Sequence, residues 1–396
     1  ATGSLTSNKA GLRLALAGVI QNGWLEKHVK VPAGILSGAA NWSGSMFIGD
    51  GGVKSWNVES DLQGMTISLP SPFAKAADWK QSLKLKGGAI GESLLRIDID
   101  FDRWVSSALR WRQEDSEYVF DQGQLTVGGR TAKLGPVDAT APATFSITGD
   151  LGEVSGEEWI SQLSELMASK APASSGPPAV QLGDVSLNLQ TLSLAGQTFK
   201  NQKLRYFPYA GGGRCRLDGQ SIAGVLDWQY EAGKLLVDLE RLELRKLLGN
   251  RETSTNRKQQ AADTAPPATM PIVDFRCMDC RYGELNLGRV SFLLEPRKGA
   301  VELRALDVKS PNLQVSGGGL WESNRFGVKT ELNVEAKSKR IRQLLAQLGY
   351  AGTLDAESSH LKTSLNWVGS PANADLTTLG GSIDLKLKDG RLLKVD

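Results

Sequence analysis

The chain has 396 residues, 40% hydrophobic and 22% charged, which is typical of a folded protein and excludes wholesale disorder. Its 46 basic and 43 acidic residues are interspersed and leave a net charge of +3, so no basic patch marks it as a nucleic-acid-binding protein. Glycine accounts for 44 residues and predicts many turns. The apolar run Leu12–Ile20 contains Arg13 and is much shorter than the roughly 20 residues that span a bilayer.

The first 150 residues show mostly strand patterns. Residues 11–20 fit either a helix or a strand, and apolar residues then alternate with polar ones in a series of short segments. In the clearest case, Leu95, Ile97, Ile99 and Phe101 alternate with charged residues, which indicates a half-buried antiparallel strand.

The first clear helix is predicted over Gly156–Ser169, with Ser155 as its N-cap. The segment 171–179, rich in Pro and Ser, is predicted to be a linker or surface loop. We therefore divide the chain into a first β segment over 1–170 that ends in a helix, the linker 171–179, and a second β segment over 180–396.

The second segment contains the most regular pattern of the chain, over Tyr282–Val334. Apolar residues occupy every second position between short turns, which predicts an antiparallel meander. Residues 249–271 lack periodicity and predict a disordered loop. A second helix is predicted over Lys337–Leu348, as a lid or plug at the edge of the sheet, and a helical turn over Asp375–Leu379.

Five of the predicted strands end in tryptophan, at irregular spacing. This indicates one strand type that is reused along a long sheet, with the indole rings near a rim. The residues are Trp42, Trp111, Trp228, Trp321 and Trp367.

Side chains that could carry chemistry are few. The two histidines, His28 and His360, lie far apart in sequence and suit structural roles better than general-base catalysis. Asp98, Asp100 and Asp102 could bind calcium, but this spacing along a strand is more typical of a solvated face. The glycine clusters suit turns better than a phosphate loop. We therefore expect no enzyme, no catalytic residue, no cofactor and no metal.

Cys277 and Cys280 lie in strand-like sequence, separated by two residues. A structural disulfide or a pair of buried thiols suits this context better than a redox pair or half of a zinc site, since a structural zinc needs four ligands.

The apolar face of so long an antiparallel sheet needs a cover. Two helices of about 26 residues together cannot cover some twenty strands, so the sheet either folds into a filled sandwich or curls into a trough lined for an apolar ligand. Composition alone favours the sandwich.

Four stretches of the sequence together resemble the C-terminal part of the YhdP branch of the AsmA-like proteins of Gram-negative bacteria. They are Ser60–Lys75, Cys277–Cys280 continuing into Leu285–Val290, the helix ending at Leu348-Gly-Tyr350 before Leu365-Asn-Trp367, and Gly380–Asp396. The branch is similar to TamB and to the bridge-like lipid transfer proteins of eukaryotes.

This resemblance implies a mostly β fold, a long, twisted and curled antiparallel sheet whose apolar groove shields phospholipid acyl chains between the inner and outer membranes. It also implies a periplasmic location, with an inner-membrane anchor and the outer-membrane-facing segment both outside this chain. We expect a monomer that binds phospholipid and no nucleic acid. An oxidising periplasm would suit a disulfide between Cys277 and Cys280.

The residues predicted to line the groove are those that alternate along the strands. They are Met65, Ile67, Leu69, Leu83, Leu85, Ile97, Ile99, Phe101, Val185, Leu187, Leu189, Val237, Leu239, Leu285, Leu287, Phe292, Val301, Leu303, Phe326, Val328, Leu332, Val334, Leu365, Ile383, Leu385 and Leu387. The alternative function is a structural β scaffold that assists outer-membrane assembly through its edges and has a filled core. An envelope-glycan enzyme ranks third, because no carboxylate pair supports it.

Overall fold

The computed structural model describes residues 2–8, 11–29, 31–102, 104–115, 117–138, 140, 142–168, 181–245, 265–267, 270–325, 327–348, 354–371 and 377–392. The chain forms two compact units, Ala1–Pro208 (unit 1) and Tyr209–Asp396 (unit 2). The predicted linker 171–179 lies outside the described residues, and the division into units falls after the following strand pair.

Unit 1 consists mainly of β-strands, with two helices. The strands are β1 (Thr2–Asn8), β2 (Gly11–Gln21), β3 (Leu36–Gly49), β4 (Gly52–Ser60), β5 (Met65–Ile67), β6 (Leu83–Ile90), β7 (Leu94–Phe101), β8 (Val105–Glu114), β9 (Glu117–Val127), β10 (Thr144–Ser155), β11 (Gln181–Leu194) and β12 (Gln197–Tyr209). Helix α1 spans Asn22–His28 and helix α2 spans Gly156–Ala168.

Strands joined by short turns in unit 1 pair antiparallel, as the sequence predicts, and so do β2 and β3, which are joined through α1. Two pairs, β9–β10 and β10–β11, are parallel instead. The connections before β10 and β11 are long, so each lets the chain return to the same end of the sheet before the next strand starts. Ser155 accepts a hydrogen bond from the Glu158 N–H at 3.3 Å, as expected of a residue that caps α2.

Unit 2 also consists mainly of β-strands. Its strands are β13 (Gly212–Asp218), β14 (Ile222–Gln229), β15 (Lys234–Leu244), β16 (Ile272–Tyr282), β17 (Leu285–Arg297), β18 (Ala300–Lys309), β19 (Leu313–Asn324), β20 (Gly327–Ser338), β21 (Leu354–Asp355), β22 (Ser358–Val368), β23 (Gly380–Lys388) and β24 (Arg391–Leu392), with helix α3 at Ile341–Leu348. Strands β21 and β24 pair separately from the large sheet.

The mostly β fold is confirmed, and so is the antiparallel meander, which comprises β17 to β20. The structure adds one parallel pair in unit 2, β15–β16, whose connection includes the predicted disordered loop. Residues 246–264, 268 and 269 of that connection lie outside the described residues, as do 375 and 376 of the predicted helical turn.

Two local assignments differ in detail from the sequence patterns. Residues 11–20 belong to strand β2, because Leu12, Leu14 and Leu16 follow the two-residue period. Helix α3 starts at Ile341 instead of Lys337, because Lys337 and Ser338 still pair with His360 and Ser359 of β22.

Extra residues interrupt the strand alternation at several β-bulges. In unit 2 they occur in four neighbouring strands: Glu240 in β15, one residue at 278–279 in β16, Leu287 in β17 and one residue near Ala305 in β18. A bulge bends the strand that carries it and increases its twist. These bulges therefore supply curvature to the sheet of unit 2.

None of the described helices is long and apolar enough to cross a membrane.

Candidate functional site

The strand register of unit 2 divides its sheet into two chemically distinct faces. Residues directly opposite each other on paired strands lie on the same face. One set of such residues is almost entirely apolar, and we call it the apolar face. Across the sheet it includes Leu226, Leu235, Val237, Val273, Phe275, Phe292, Leu294, Leu303, Val315, Leu332, Leu365 and Leu385. Phe275 and Phe292 stack with their ring centroids 4.5 Å apart.

The opposite face, the polar face, carries ion pairs from strand to strand. They include Arg214–Asp227, Lys234–Asp274, Arg304–Glu295 and Lys362–Glu335. Hydrogen bonds from Lys337 and His360 lower the pKa of Glu335 to about 2. Such charged ladders suit a face in water, so the apolar face is the one that requires a cover.

The side chains of the apolar face are only partly covered. In strands β16 to β20, which have neighbours on both sides, Phe275, Phe292, Leu303, Leu332 and Val334 are half-buried. In a filled sandwich, inward-facing residues of central strands are buried by the second sheet. The described part of unit 2 contains no second large sheet across this face.

Exposure increases at strand β23. Ile383 is 69% exposed, and Leu385 and Leu387 are 47% and 37% exposed. All three oppose residues of the apolar face on β22. The apolar face therefore extends to β23, where the described residues leave it exposed.

Helix α3 covers one end of this face. Its Ile341 is buried, and Leu344 faces Leu285 and Leu313 across a cavity of about 200 Å³. Leu285 and Leu313 are the first residues of β17 and β19 and belong to the apolar face. Helix α3 thus lies at a strand end and does not extend over the middle of the face.

Unit 1 has an equivalent apolar face. It contains Leu14, Leu16, Met46, Val58, Leu85, Ile97, Ile99, Leu109, Leu125, Ile147, Val185, Leu187 and Leu204. Its cover is more extensive at one end, where Ala40, Leu62 and Met65 form a buried cluster against Leu25 of α1.

An aromatic group lies at the strand ends of unit 1. Trp159 of α2 donates a hydrogen bond to the Ser71 carbonyl at 3.2 Å and meets the Phe73 ring edge-on. Phe73 also contacts Trp104, which contacts Phe101 of the apolar face. Helix α2 and the 68–82 segment are thereby attached to the end of the face.

The predicted lining residues with a described register partner lie on the apolar faces of the two units. Several are fully enclosed by their neighbours: Met65, Leu189, Leu239, Leu285, Val301 and Val328. Leu287 is a bulge residue, Leu69 lies in a loop, and Phe326 lies outside the described residues. Leu12, Leu14, Leu16 and Met46 of the same face were not among the predicted lining residues, although their alternation was available as a signal.

The five tryptophans also share the apolar faces. Trp321 and Trp367 both oppose Thr330 of β20, next to the turns at one end of the strands. The Trp367 ring is buried and its N–H donates to the Ser370 carbonyl at 3.0 Å. Trp228 of β14 is 40% exposed. Tryptophan therefore marks the end of the face opposite α3.

Cys277 and Cys280 form a disulfide on the apolar face of unit 2. Residues three apart in a regular strand point to opposite faces, but the bulge at 278–279 turns both sulfurs to the same side. The third cysteine, Cys215, is a free thiol whose pKa burial raises to about 11. A group of three metal-ligating side chains does not occur in the described residues.

The aspartates and histidines that the sequence singled out are engaged in local contacts. Asp98 accepts hydrogen bonds from the Arg96 guanidinium at 2.7 to 3.0 Å. His28 contacts the Trp24 carbonyl through Nδ1 at 2.9 Å, and His360 contacts Glu335 through Nε2 at 2.7 Å. Two residues of unit 1 that no pattern indicated, Arg110 and Asp121, form a buried ion pair.

The family model described as YhdP protein matches residues 1–396. The search of curated proteins and the search of solved structures each found no match.

Proposed function

The chain therefore belongs to the YhdP protein family, and from this membership and the apolar faces we propose that it is a non-enzymatic conduit for phospholipid. Membership suggests a cell-envelope protein related to lipid transport. We propose specifically that acyl chains lie against the apolar faces while the head groups remain in water. The site of action is the periplasm, between inner and outer membranes that are reached through segments outside this chain.

The observation that carries the proposal is the partial exposure of apolar side chains in central strands of unit 2. Each CH₂ group kept out of water contributes roughly 0.8 kcal/mol, so a lipid leaves a bilayer readily only where its chains stay covered. Strands lie about 4.8 Å apart, so the ten strands that bear the face of unit 2 span about 43 Å along the sheet.

The side chains of the apolar face suit contact with acyl chains and would not select among acyl-chain structures. Its members are aliphatic and aromatic, and the polar face carries the charges. Binding of this kind requires complementarity in polarity alone and no catalytic residue or cofactor. We propose that the chain works as a monomer and binds no nucleic acid.

The test is site-specific photocrosslinking followed by mass spectrometry of the adducts. A photoreactive residue at Leu385 or Leu287 should capture phospholipid in cells, because both positions lie on or beside the apolar face. The matched control is Lys386, which is also exposed, follows Leu385 in sequence and points to the polar face. We expect no lipid adduct at that position.

A result with equal capture at Leu385 and Lys386, or with no lipid at any position and none co-purifying, would contradict the conduit. Loss of a protein partner after changes to the edge strand β23, combined with absent lipid, would instead support the scaffold function.

A further inference from the structure

A basic depression lies on the polar face of unit 1, away from the surface to which we assign lipid. It occupies about 450 Å³, within the size range of small-molecule sites. Arg13, Lys54, Lys86 and Arg96 contribute the positive charges, and Phe47 and Asn57 are part of the lining.

The strand register brings these residues together from five neighbouring strands. Arg13 opposes Phe47, Phe47 opposes Ser55, and Ser55 opposes Gly88, which in turn opposes Arg96. In the adjacent row, Ser45 opposes Asn57, which opposes Lys86. Residues that are distant in sequence therefore form one continuous surface.

Two local features open the surface and add a cation. Lys54 is the extra residue of the bulge opposite Phe47 and Ile48, which places it beside Ser55 in the depression. Gly88 has no side chain between the rows, and a Cβ there would lie 2.4 Å from the Lys54 carbonyl oxygen. The floor of the depression must therefore stay open at this position.

The charges of the basic depression are unbalanced. Arg96 pairs with Asp98 at 2.7 Å. No ion pair links Arg13, Lys54 or Lys86 to a carboxylate within the described ranges. One carboxylate among four cations leaves a local charge of about +3, which favours an anion.

The side-chain amide of Asn57 also offers the depression an uncharged hydrogen-bond donor. The Asn57 side-chain oxygen accepts hydrogen bonds from the Ser45 N–H at 2.8 Å and from the Ser45 hydroxyl at 2.7 Å. The Asn57 amide nitrogen, with two N–H donors, therefore points away from this contact.

We propose that the basic depression binds a phosphoryl group carried by a small hydroxyl-bearing molecule. The dianion of a phosphate monoester matches several converging cations better than a carboxylate does, because it has more charge and more acceptor oxygens. Asn57 and the serine hydroxyls supply partners for hydroxyl groups. Such a group occurs both in soluble metabolites and in lipids with a terminal phosphate.

The experiment is calorimetric titration of the full chain with glycerol 3-phosphate and with inorganic phosphate, at fixed ionic strength, with glycerol as the neutral reference. We expect saturable binding that weakens at least about tenfold in the double variant Arg13→Gln/Lys86→Gln. The matched control is Lys84→Gln. Lys84 lies two residues before Lys86 on the same strand and face but outside the depression, so affinity should be unchanged.

Vesicles of phosphatidylcholine with and without phosphatidic acid identify the source of the group. Binding of glycerol 3-phosphate alone supports a soluble ligand, and added binding to phosphatidic acid vesicles supports a lipid head group. Absent saturable binding, or equal loss in Lys84→Gln and in the double variant, overturns the proposal. Lipid capture at Leu385 should be unaffected in the double variant, so this site and the conduit fail independently.

Discussion

Units 1 and 2 use the same strand pattern but cover it differently. In unit 1, α1 and the 61–82 segment close one end of the apolar face around Ala40, Leu62 and Met65. A second segment, 128–138, crosses the polar face of β8 and β9. In unit 2, the described cover of the apolar face is α3 at one strand end.

This difference shows that one sheet design can be stabilised in two ways. Both units enclose apolar side chains between their strands, but unit 1 adds a helix and a segment that pack over one strand end, whereas unit 2 adds a disulfide on the apolar face itself. The bulges reflect the same contrast. In β9 the bulge directs Asp121 towards Arg110, whereas the bulges of unit 2 keep apolar residues on one side.

The largest expected effect is at the buried ion pair of unit 1. Arg110 and Asp121 have side chains 9% and 6% exposed, and Arg110 also donates to the Gly135 carbonyl at 2.7 Å. Asp121→Ala leaves a buried guanidinium without its partner, which should cost about 3–5 kcal/mol. Hydrogen exchange resolved by peptide should show the loss in β8, β9 and the 128–138 segment.

The control for this ion pair is the double variant Arg110→Met/Asp121→Leu. It removes both charges and should be less destabilised than Asp121→Ala, because no uncompensated charge remains. If Asp121→Ala changes exchange no more than a surface substitution does, the pair does not hold this segment.

The second prediction compares an enclosed and an open apolar position. Met65 is 2% exposed and Ile383 is 69% exposed. Met65→Ala should cost about 2–5 kcal/mol, because a cavity remains in packed surroundings. Ile383→Ala should change stability by about 0.5 kcal/mol or less. Urea unfolding of both variants gives the comparison, and similar losses would mean that Ile383 is covered in solution.

The third prediction concerns the disulfide of unit 2. The Cys277–Cys280 bond closes a four-residue loop, for which the loop-entropy relation gives about 2 kcal/mol. The variant Cys277→Ser/Cys280→Ser should lose about that amount, with faster hydrogen exchange in β16 and β17. Chemical reduction of the wild-type chain should reproduce the effect, and an unchanged exchange pattern would show that the bulge is stable without the bond.

The smallest expected effect is the pH dependence of the polar face. The folded pKa of Glu335 lies near 2, below its ordinary value of 4.5, so this carboxylate stabilises the fold above pH 4.5. The contribution disappears as pH falls from 4.5 to 2. Glu335→Gln should therefore flatten the acid limb of the stability curve measured by thermal unfolding.

The control for Glu335 is Glu284→Gln. Glu284 is exposed and has no ion pair within the described ranges, so its replacement should leave the acid limb as in the wild type. Equal flattening in the two variants would contradict a specific role of the Glu335 contacts.

The sequence predicts strands well here because alternation is a local signal. Leu83 and Leu85, or Leu332 and Val334, show their common face without knowledge of their partners. Turn residues likewise predict antiparallel neighbours. The parallel pairs β9–β10, β10–β11 and β15–β16 could not be predicted, because pairing after a long connection depends on distant residues.

The candidate site, too, could be predicted from the sequence only in part. The composition of the apolar face follows from alternation, but exposure depends on what covers it. Met65 and Ile383 have similar patterns, and only tertiary packing separates them. The basic depression was not predicted at all, because Arg13, Lys54 and Lys86 become neighbours only through pairing of separate strands.

The bulges of unit 2 limit where single residues can be inserted into or deleted from its strands. Four adjacent strands each carry an added residue, and every following side chain depends on that addition for its orientation. Deleting Glu240 alone would turn Leu242 and Leu244 over to the charged side. Loss of a single residue at a bulge therefore changes the face of every side chain after it in that strand, whereas a residue added at a hairpin tip leaves each strand's side chains on their own faces.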